Sequence, residues 1–268
     1  MGMMQGKKGL IMGVANDRSL AWGIAKALGE QGAEIAFSYQ GEALKKRVEP
    51  LAASVGSDFL IEMDVSNETQ LDEGFAAVEK RFGKIDFLLH AIGWSDKNEL
   101  RGLYLDTTKD NFLQTMDISV WSFTSVARRA AAIMNDGGSM LTLTYGGANR
   151  VMPHYNVMGV AKAALEASVM YLAVDLGDRQ IRVNSLSAGP VKTLAASGIG
   201  DFRYILNWNA DNAPLQRNVD LKDVGGAGLY LLSDLSSGVT GENHFVDGGY
   251  NIVGMKSLHA IHREKNGE

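Results

Sequence analysis

Short apolar runs alternate along the chain with longer segments in which apolar residues recur every three or four positions. The runs span residues 9–12, 34–38, 58–63, 85–90, 139–144, 182–186 and 244–246. They are nearly continuous rather than alternating, the pattern of strands covered by helices on both faces. The periodic segments predict helices over 20–31, 41–55, 68–82, 111–134, 158–178, 201–212 and 221–233. In the first, Leu20, Ile24 and Leu28 stand one turn apart and form a core stripe. Asn67 is placed to cap the third, with Gln70 at the capping-box position. Regular strand–helix alternation implies right-handed crossovers and a parallel sheet. No repeat, low-complexity tract or linker divides the chain. The expectation is one α/β domain over residues 1–254, a doubly wound parallel sheet of about seven strands, followed by a polar C-terminal tail over 255–268.

Composition narrows the chemistry. The 268 residues include 31 glycines, four prolines and no cysteine, which removes disulfides, thiolate metal sites and a cysteine nucleophile. Lys and Arg number 26 against 31 Asp and Glu, a net charge of −5 that leaves no basic surplus for phosphate backbones. No nucleic-acid partner is therefore expected. The apolar run at residues 10–12 is too short for a signal segment, and no stretch approaches the roughly 18 uninterrupted apolar residues that cross a bilayer. A cytoplasmic protein with no membrane partner is expected. His259 and His262 stand at helical spacing in the tail, but no carboxylate pattern completes a metal site, and none is expected.

The glycines gather where predicted strands end. Gly13 ends the first, and Ser19 and Leu20 open the helix beyond it, with Gly23 inside that helix. Backbone N–H groups at such a turn suit a pyrophosphate; a loop glycine followed by an N-cap serine fits the same residues. The second strand runs into Gln40, which can hydrogen-bond a ribose hydroxyl, with no arginine beside it for a 2′-phosphate. Lys45, Lys46 and Arg47 read as a solvated helix face, so NADH is favoured over NADPH. Asp64 and Val65 end the third strand, where they fit either adenine contact or a turn.

Tyr145 follows the fifth strand, Tyr155 lies ten residues on, and Lys162 seven beyond that. Residues at i and i+7 share a helix face, and a lysine beside a phenol favours the phenolate. These stretches carry a resemblance. Gly13-x5-Ser19-x3-Gly23, Asp64-Val65, Tyr145-x9-Tyr155-x6-Lys162, Ala188-Gly189-Pro190-Val191-Lys192-Thr193 and the segment Thr240–Gly249 resemble the short-chain dehydrogenase/reductase superfamily. Within it, they resemble the bacterial enoyl-[acyl-carrier-protein] reductases. Ordinary members use Tyr-x3-Lys, whereas the residue four beyond Tyr155 is Gly159. They also carry a helix asparagine where this chain reads Met116-Asp117-Ile118.

The resemblance implies a Rossmann-type fold, NADH/NAD as cofactor and reduction of a trans-2-enoyl thioester on acyl carrier protein in fatty acid elongation. It implies cofactor contacts at Gly13, Ser19, Leu20, Gln40, Asp64, Val65, Ile92, Lys162, Val191, Lys192, Thr193, Leu194 and Ala195, and substrate contact at Ser95. Tyr145, Tyr155 and Lys162 fall on the catalytic positions, Tyr155 stabilising an enolate and Lys162 holding the nicotinamide ribose. A substrate lid is expected near residues 193–212, and a homotetramer. Lys192, Arg203 and Arg217 are candidates for docking the acidic carrier protein. Two other readings stand beside this one: a short-chain keto or alcohol dehydrogenase, and a catalytically silent NAD(H)-binding regulator.

Overall fold

Seven strands form one parallel sheet: β1 (Lys8–Met12), β2 (Glu34–Tyr39), β3 (Leu60–Glu62), β4 (Ile85–His90), β5 (Met134–Thr144), β6 (Arg182–Ala188) and β7 (Asn243–Val246). The computed structural model describes residues 2–194 and 200–266. Spatial order is β3-β2-β1-β4-β5-β6-β7. The chain builds outward from β1 to β3, then returns to set β4 on the other side of β1. Leu10 pairs with both Ala36 and Leu88, so β1 is central. Loops leaving the C-terminal ends of β1 and β4 diverge there, and a crevice opens between them.

The alternation within β1 divides the core. Leu10 and Met12 face one side with Leu88 and Met140, under α3 (Glu68–Phe82), α6 (Ser122–Ile133) and α7 (Asn156–Asp175). Ile11 faces the other with Phe37, Leu89 and Leu141, under α1 (Leu20–Glu30), α2 (Gly41–Ser54) and α9 (Leu221–Leu232). Each fully buried Leu, Ile or Phe contributes about 1.5–3 kcal/mol. Asn67 caps α3 by accepting from the Gln70 N–H, but the Gln70 side chain turns away to accept from the Asp64 N–H at 2.8 Å. The capping box is therefore open, and Gln70 instead secures the end of β3.

Three features depart from the sequence expectation. The single helix expected over 111–134 is divided into α5 (Lys109–Met116), a π-turn at Asp117–Trp121, and α6. The backbone stays helical through the π-turn, so the apolar segment reads as one continuous helix from sequence. A one-turn helix, α4 (Lys97–Leu100), precedes α5 and is too short to show a period. The segment expected as a solvated tail carries α10 (Leu258–Asn266), docked on α8 (Phe202–Asn212). Ala260 is buried there, Ser257 bonds Asn212 and Asp211, and Arg263 pairs with Asp211 at 3.1 Å. Its polar composition concealed the one apolar edge that packs.

Among the described residues, α7 is the helix long and apolar enough to cross a membrane by length and composition. Its buried face, with Val157, Ala161, Leu165 and Val169, packs on the sheet, which accounts for that composition. Of the segment expected as a lid, residues 195–199 lie outside the described residues, and the second half forms α8.

Candidate active site

A cleft of about 870 Å³ opens at the β1/β4 crevice and runs along the C-terminal ends of the strands. At one end lie Gly13, Ser19, Leu20, Gln40, Asp64 and Val65. Gly13 has φ +98°, and a Cβ there would lie 2.1 Å from the Ala91 carbonyl oxygen. Only glycine lets the end of β1 approach the end of β4 so closely. The Ser19 hydroxyl accepts N–H bonds from Ala15 and Asn16 at 3.0 and 3.1 Å, pinning the turn and leaving its own proton to donate. Leu20 and Ala21, in the first turn of α1, line the same wall, where helix N–H groups lack intrahelical acceptors.

Gln40 donates to an Asp64 carboxylate oxygen at 2.7 Å, and the other oxygen accepts from Ser66 N–H and Oγ. Burial pushes the Asp64 carboxyl up, but these hydrogen bonds outweigh it and hold the group below the usual carboxylate range. An ionised acceptor thus stands beside the Gln40 amide oxygen, both facing the cleft. Lys45 is engaged with Glu42 at 3.4 Å, in keeping with a solvated helix face.

At the other end stand Ile92, Ser95, Tyr145, Tyr155, Met158 and Lys162. Lys162, two turns into α7, is buried and donates to the Leu143 carbonyl at 2.8 Å. Burial lowers its pKa to about 8, opposed by the Glu166 carboxylate one turn on. Tyr155 is also buried. Burial, then Tyr145 and Glu166, raise its phenol far above the ordinary value. The expectation that Lys162 favours the phenolate is corrected here: desolvation dominates, and the group is a neutral hydrogen-bond donor at physiological pH. Tyr145 is pushed up to about 12 by burial and by Tyr250.

Val191, Thr193 and Leu194 complete the wall after β6. Lys192 is exposed and does not border the cleft, and Ala195 lies outside the described residues. Arg217, a docking candidate, is held bidentately by Asp223 at 2.5 and 2.9 Å. Arg203 is exposed. Among the described residues no group of three His, Asp or Glu is placed to hold a metal.

Other side chains organise the site without a sequence signal of their own. Ser119, on the π-turn, accepts from the Trp94 N–H at 2.9 Å and donates to the Trp94 carbonyl at 3.0 Å. Glu166 accepts from Thr144 Oγ1 at 2.7 Å and Asn149 Nδ2 at 3.0 Å, bracing the loop that carries Tyr145. His90 is buried beneath Lys162, its Nε2 2.8 Å from Ser122 Oγ. That hydroxyl also donates to the Ile118 carbonyl, and Nδ1 lies 3.1 Å from Thr142 Oγ1. Burial and the Lys162 cation hold its pKa down at about 3.

A dinucleotide fits this donor set: a helix N-terminus and a hydroxyl for phosphate, an acid and an amide for ribose and adenine, and a buried cation at the far end.

Residues 13–251 match the family model described as Enoyl-(Acyl carrier protein) reductase. An enoyl-[acyl-carrier-protein] reductase [NADH] of Rhizobium meliloti is 68% identical over 259 residues, 97% of this chain and 95% of the relative. The crystal structure of the Anaplasma phagocytophilum reductase in complex with NAD is 58% identical. It superposes with a TM-score of 0.92 over 96% of each chain. The enzyme from Candidatus Liberibacter asiaticus is 55% identical, with a TM-score of 0.94 over 96% of this chain and 100% of that one.

Proposed function

Because this chain belongs to the enoyl-[acyl-carrier-protein] reductase family, within the short-chain dehydrogenase/reductase superfamily, we propose a division of labour among the residues of its cleft. The chain is an NADH-dependent oxidoreductase that reduces the carbon–carbon double bond of enoyl-[acyl-carrier-protein] in fatty acid synthesis. Bound NADH supplies the hydride delivered to the β-carbon of the thioester.

As hydride arrives, negative charge develops on the thioester oxygen. The Tyr155 hydroxyl donates to that oxygen and stabilises the enolate, most strongly where charge is greatest, until a proton taken up at the α-carbon completes the reduction. Burial of Tyr155 supports this role, since a neutral phenol in a dry site is a preorganised donor. Tyr145 packs on Tyr155 and closes the acyl end. Lys162 holds the nicotinamide ribose and adds positive potential. Gly13, Ser19 and Leu20 receive the pyrophosphate, and Gln40, Asp64 and Val65 the adenosine. Ile92, Val191, Thr193 and Leu194 flank the nicotinamide, and Ser95 meets substrate.

The observation that carries this reading is the burial of Tyr155, immediately before α7, and of Lys162, within α7, at a dinucleotide-sized cleft. A keto or alcohol dehydrogenase would need a lysine at position 159. A Cβ at Gly159 would lie 2.7 Å from the Gly147 carbonyl oxygen, so the backbone leaves that side chain no room. Loss of NADH absorbance with crotonyl and longer enoyl thioesters, repeated with NADPH, tests the reading. Reduction of a β-ketoacyl thioester with none of the enoyl substrate would overturn it, as would NADH binding without turnover.

The reading extends to a single catalytic domain over residues 1–254 and a cytoplasmic location. A homotetramer is supported by the exposed apolar residues Val160, Met170, Tyr171 and Val174 on α7. Light scattering on the purified chain would report the mass. Lys192 and Arg203 are the remaining candidates for contact with the acidic carrier protein.

A further inference from the structure

Tyr155 sits between two residues in the left-handed region, His154 with φ 56° and Asn156 with φ 38°. Non-glycine residues occupy that region at a cost, and Asn tolerates it better than most. The Asn156 side chain is committed as well. Its Nδ2 donates towards three main-chain carbonyls, Gly102 at 2.8 Å, Leu100 at 3.2 Å and Glu99 at 3.3 Å. The Glu99 and Leu100 carbonyls end α4 and Gly102 lies two residues beyond it; of the three, the Glu99 carbonyl also accepts from the Gly102 N–H. One amide thus caps a helix more than 50 residues away in the chain while fixing the peptide next to Tyr155.

What Asn156 grips is a wall of the cleft. Leu100 packs with Tyr155, Val157 and Met158 in one apolar cluster. Elsewhere the same wall is pinned by side chains of α5 and the π-turn. Ser119 holds Trp94, Asn111 accepts from the Asp96 N–H at 3.0 Å, and Asn111 Nδ2 and Thr108 Oγ1 donate to the Glu99 carboxylate at 3.0 and 2.8 Å. These bonds tie the wall to α5 and the π-turn, and Asn156 ties the same wall to the backbone carrying the phenol.

We propose that Asn156 is a positioning residue for enoyl reduction: its amide clasps the end of α4 and sets the aim of the Tyr155 hydroxyl relative to the substrate-side wall. The proposal rests on the reading of Tyr155 as the donor to the thioester oxygen. It acts through geometry, where a displacement of an ångström costs up to about a hundredfold in rate.

Two substitutions separate the clasp from the backbone strain. Asn156→Gly keeps the left-handed conformation without strain and removes the donors. Asn156→Asp keeps shape and conformation but presents acceptors to three carbonyls. Each variant is assayed for melting temperature, NADH affinity by fluorescence, and kcat and KM with crotonyl thioester. The expected result is a kcat lowered about ten- to hundredfold in both, with NADH affinity unchanged and Asn156→Gly melting like the parent. Turnover of Asn156→Gly within twofold of the parent overturns the proposal and leaves the role of Tyr155 standing. A parent enzyme that reduces no enoyl thioester overturns both together.

Discussion

The rings of Tyr145 and Tyr155 meet edge to face, their centroids 5.0 Å apart at an interplanar angle of 73°. Tyr145 leaves the end of β5 and Tyr155 immediately precedes α7, so the pair joins strand and helix across the cleft. An edge-to-face pair is worth about 0.5–1.5 kcal/mol beyond its area. Tyr145→Phe preserves the contact and is expected to leave turnover close to the parent. Tyr155→Phe preserves it too but removes the donor. A loss of kcat of up to about a hundredfold is expected, varying with the substrate, from steady-state rates on enoyl thioesters of several lengths.

Lys162 has opposite pH signatures in binding and in folding. With its folded pKa lowered from 10.5 to about 8, the cation proposed to hold the ribose is lost as pH rises through about 8. NADH affinity of the free enzyme, measured by fluorescence between pH 7 and 9.5, is expected to fall across that range. Lys162→Ala should bind weakly throughout and show no such fall. For folding the sign reverses, because the unfolded chain keeps its proton up to about 10.5. The burial penalty is complete below pH 8 and relieved above it, so Lys162→Met is expected to stabilise the fold most below pH 8.

His90 makes the fold acid-sensitive. The unfolded chain protonates this imidazole near 6.5, whereas the folded chain keeps it neutral down to about 3. Stability is therefore lost as pH falls from 6.5 towards 3, by a few kcal/mol. Urea denaturation at pH 7 and pH 4.5 should show a smaller drop for His90→Gln than for the parent. An equal drop would place the acid sensitivity elsewhere.

Gly159→Lys restores the spacing of the ordinary short-chain dehydrogenases in sequence only. Its Cβ would meet the Gly147 carbonyl oxygen, and Gly147 in turn lies against the Tyr155 ring. Overpacking of this kind costs about 1–3 kcal/mol. The variant is expected to melt lower and to reduce neither enoyl nor β-ketoacyl thioesters well. Ketoreduction by it would show that spacing outranks packing.

Asp64→Ala removes the carboxylate that anchors Gln40 and accepts from Ser66. NADH affinity should fall roughly tenfold, the range of one charge-assisted hydrogen bond. Melting temperature without cofactor should change little, since Asp64 is only partly buried.

The chain by itself determined the sheet, its helical cover and the position of the cleft. Those features follow from apolar periodicity and from glycines at strand ends, which are properties of neighbouring residues. It singled out Tyr145, Tyr155 and Lys162 by their spacing, but the left-handed turn at His154 and Asn156 and the ring contact of Tyr145 with Tyr155 brought them together. The protonation state of Tyr155 lay beyond it, since desolvation depends on everything packed around the ring. So did the π-turn that aims Ser119 at Trp94, and the docking of α10 on α8. The tertiary structure alone decided that Asn156 caps α4 and that Glu166 braces Thr144 and Asn149. Those bonds join residues from 17 to more than 50 positions apart, and no local pattern encodes a partner at that distance.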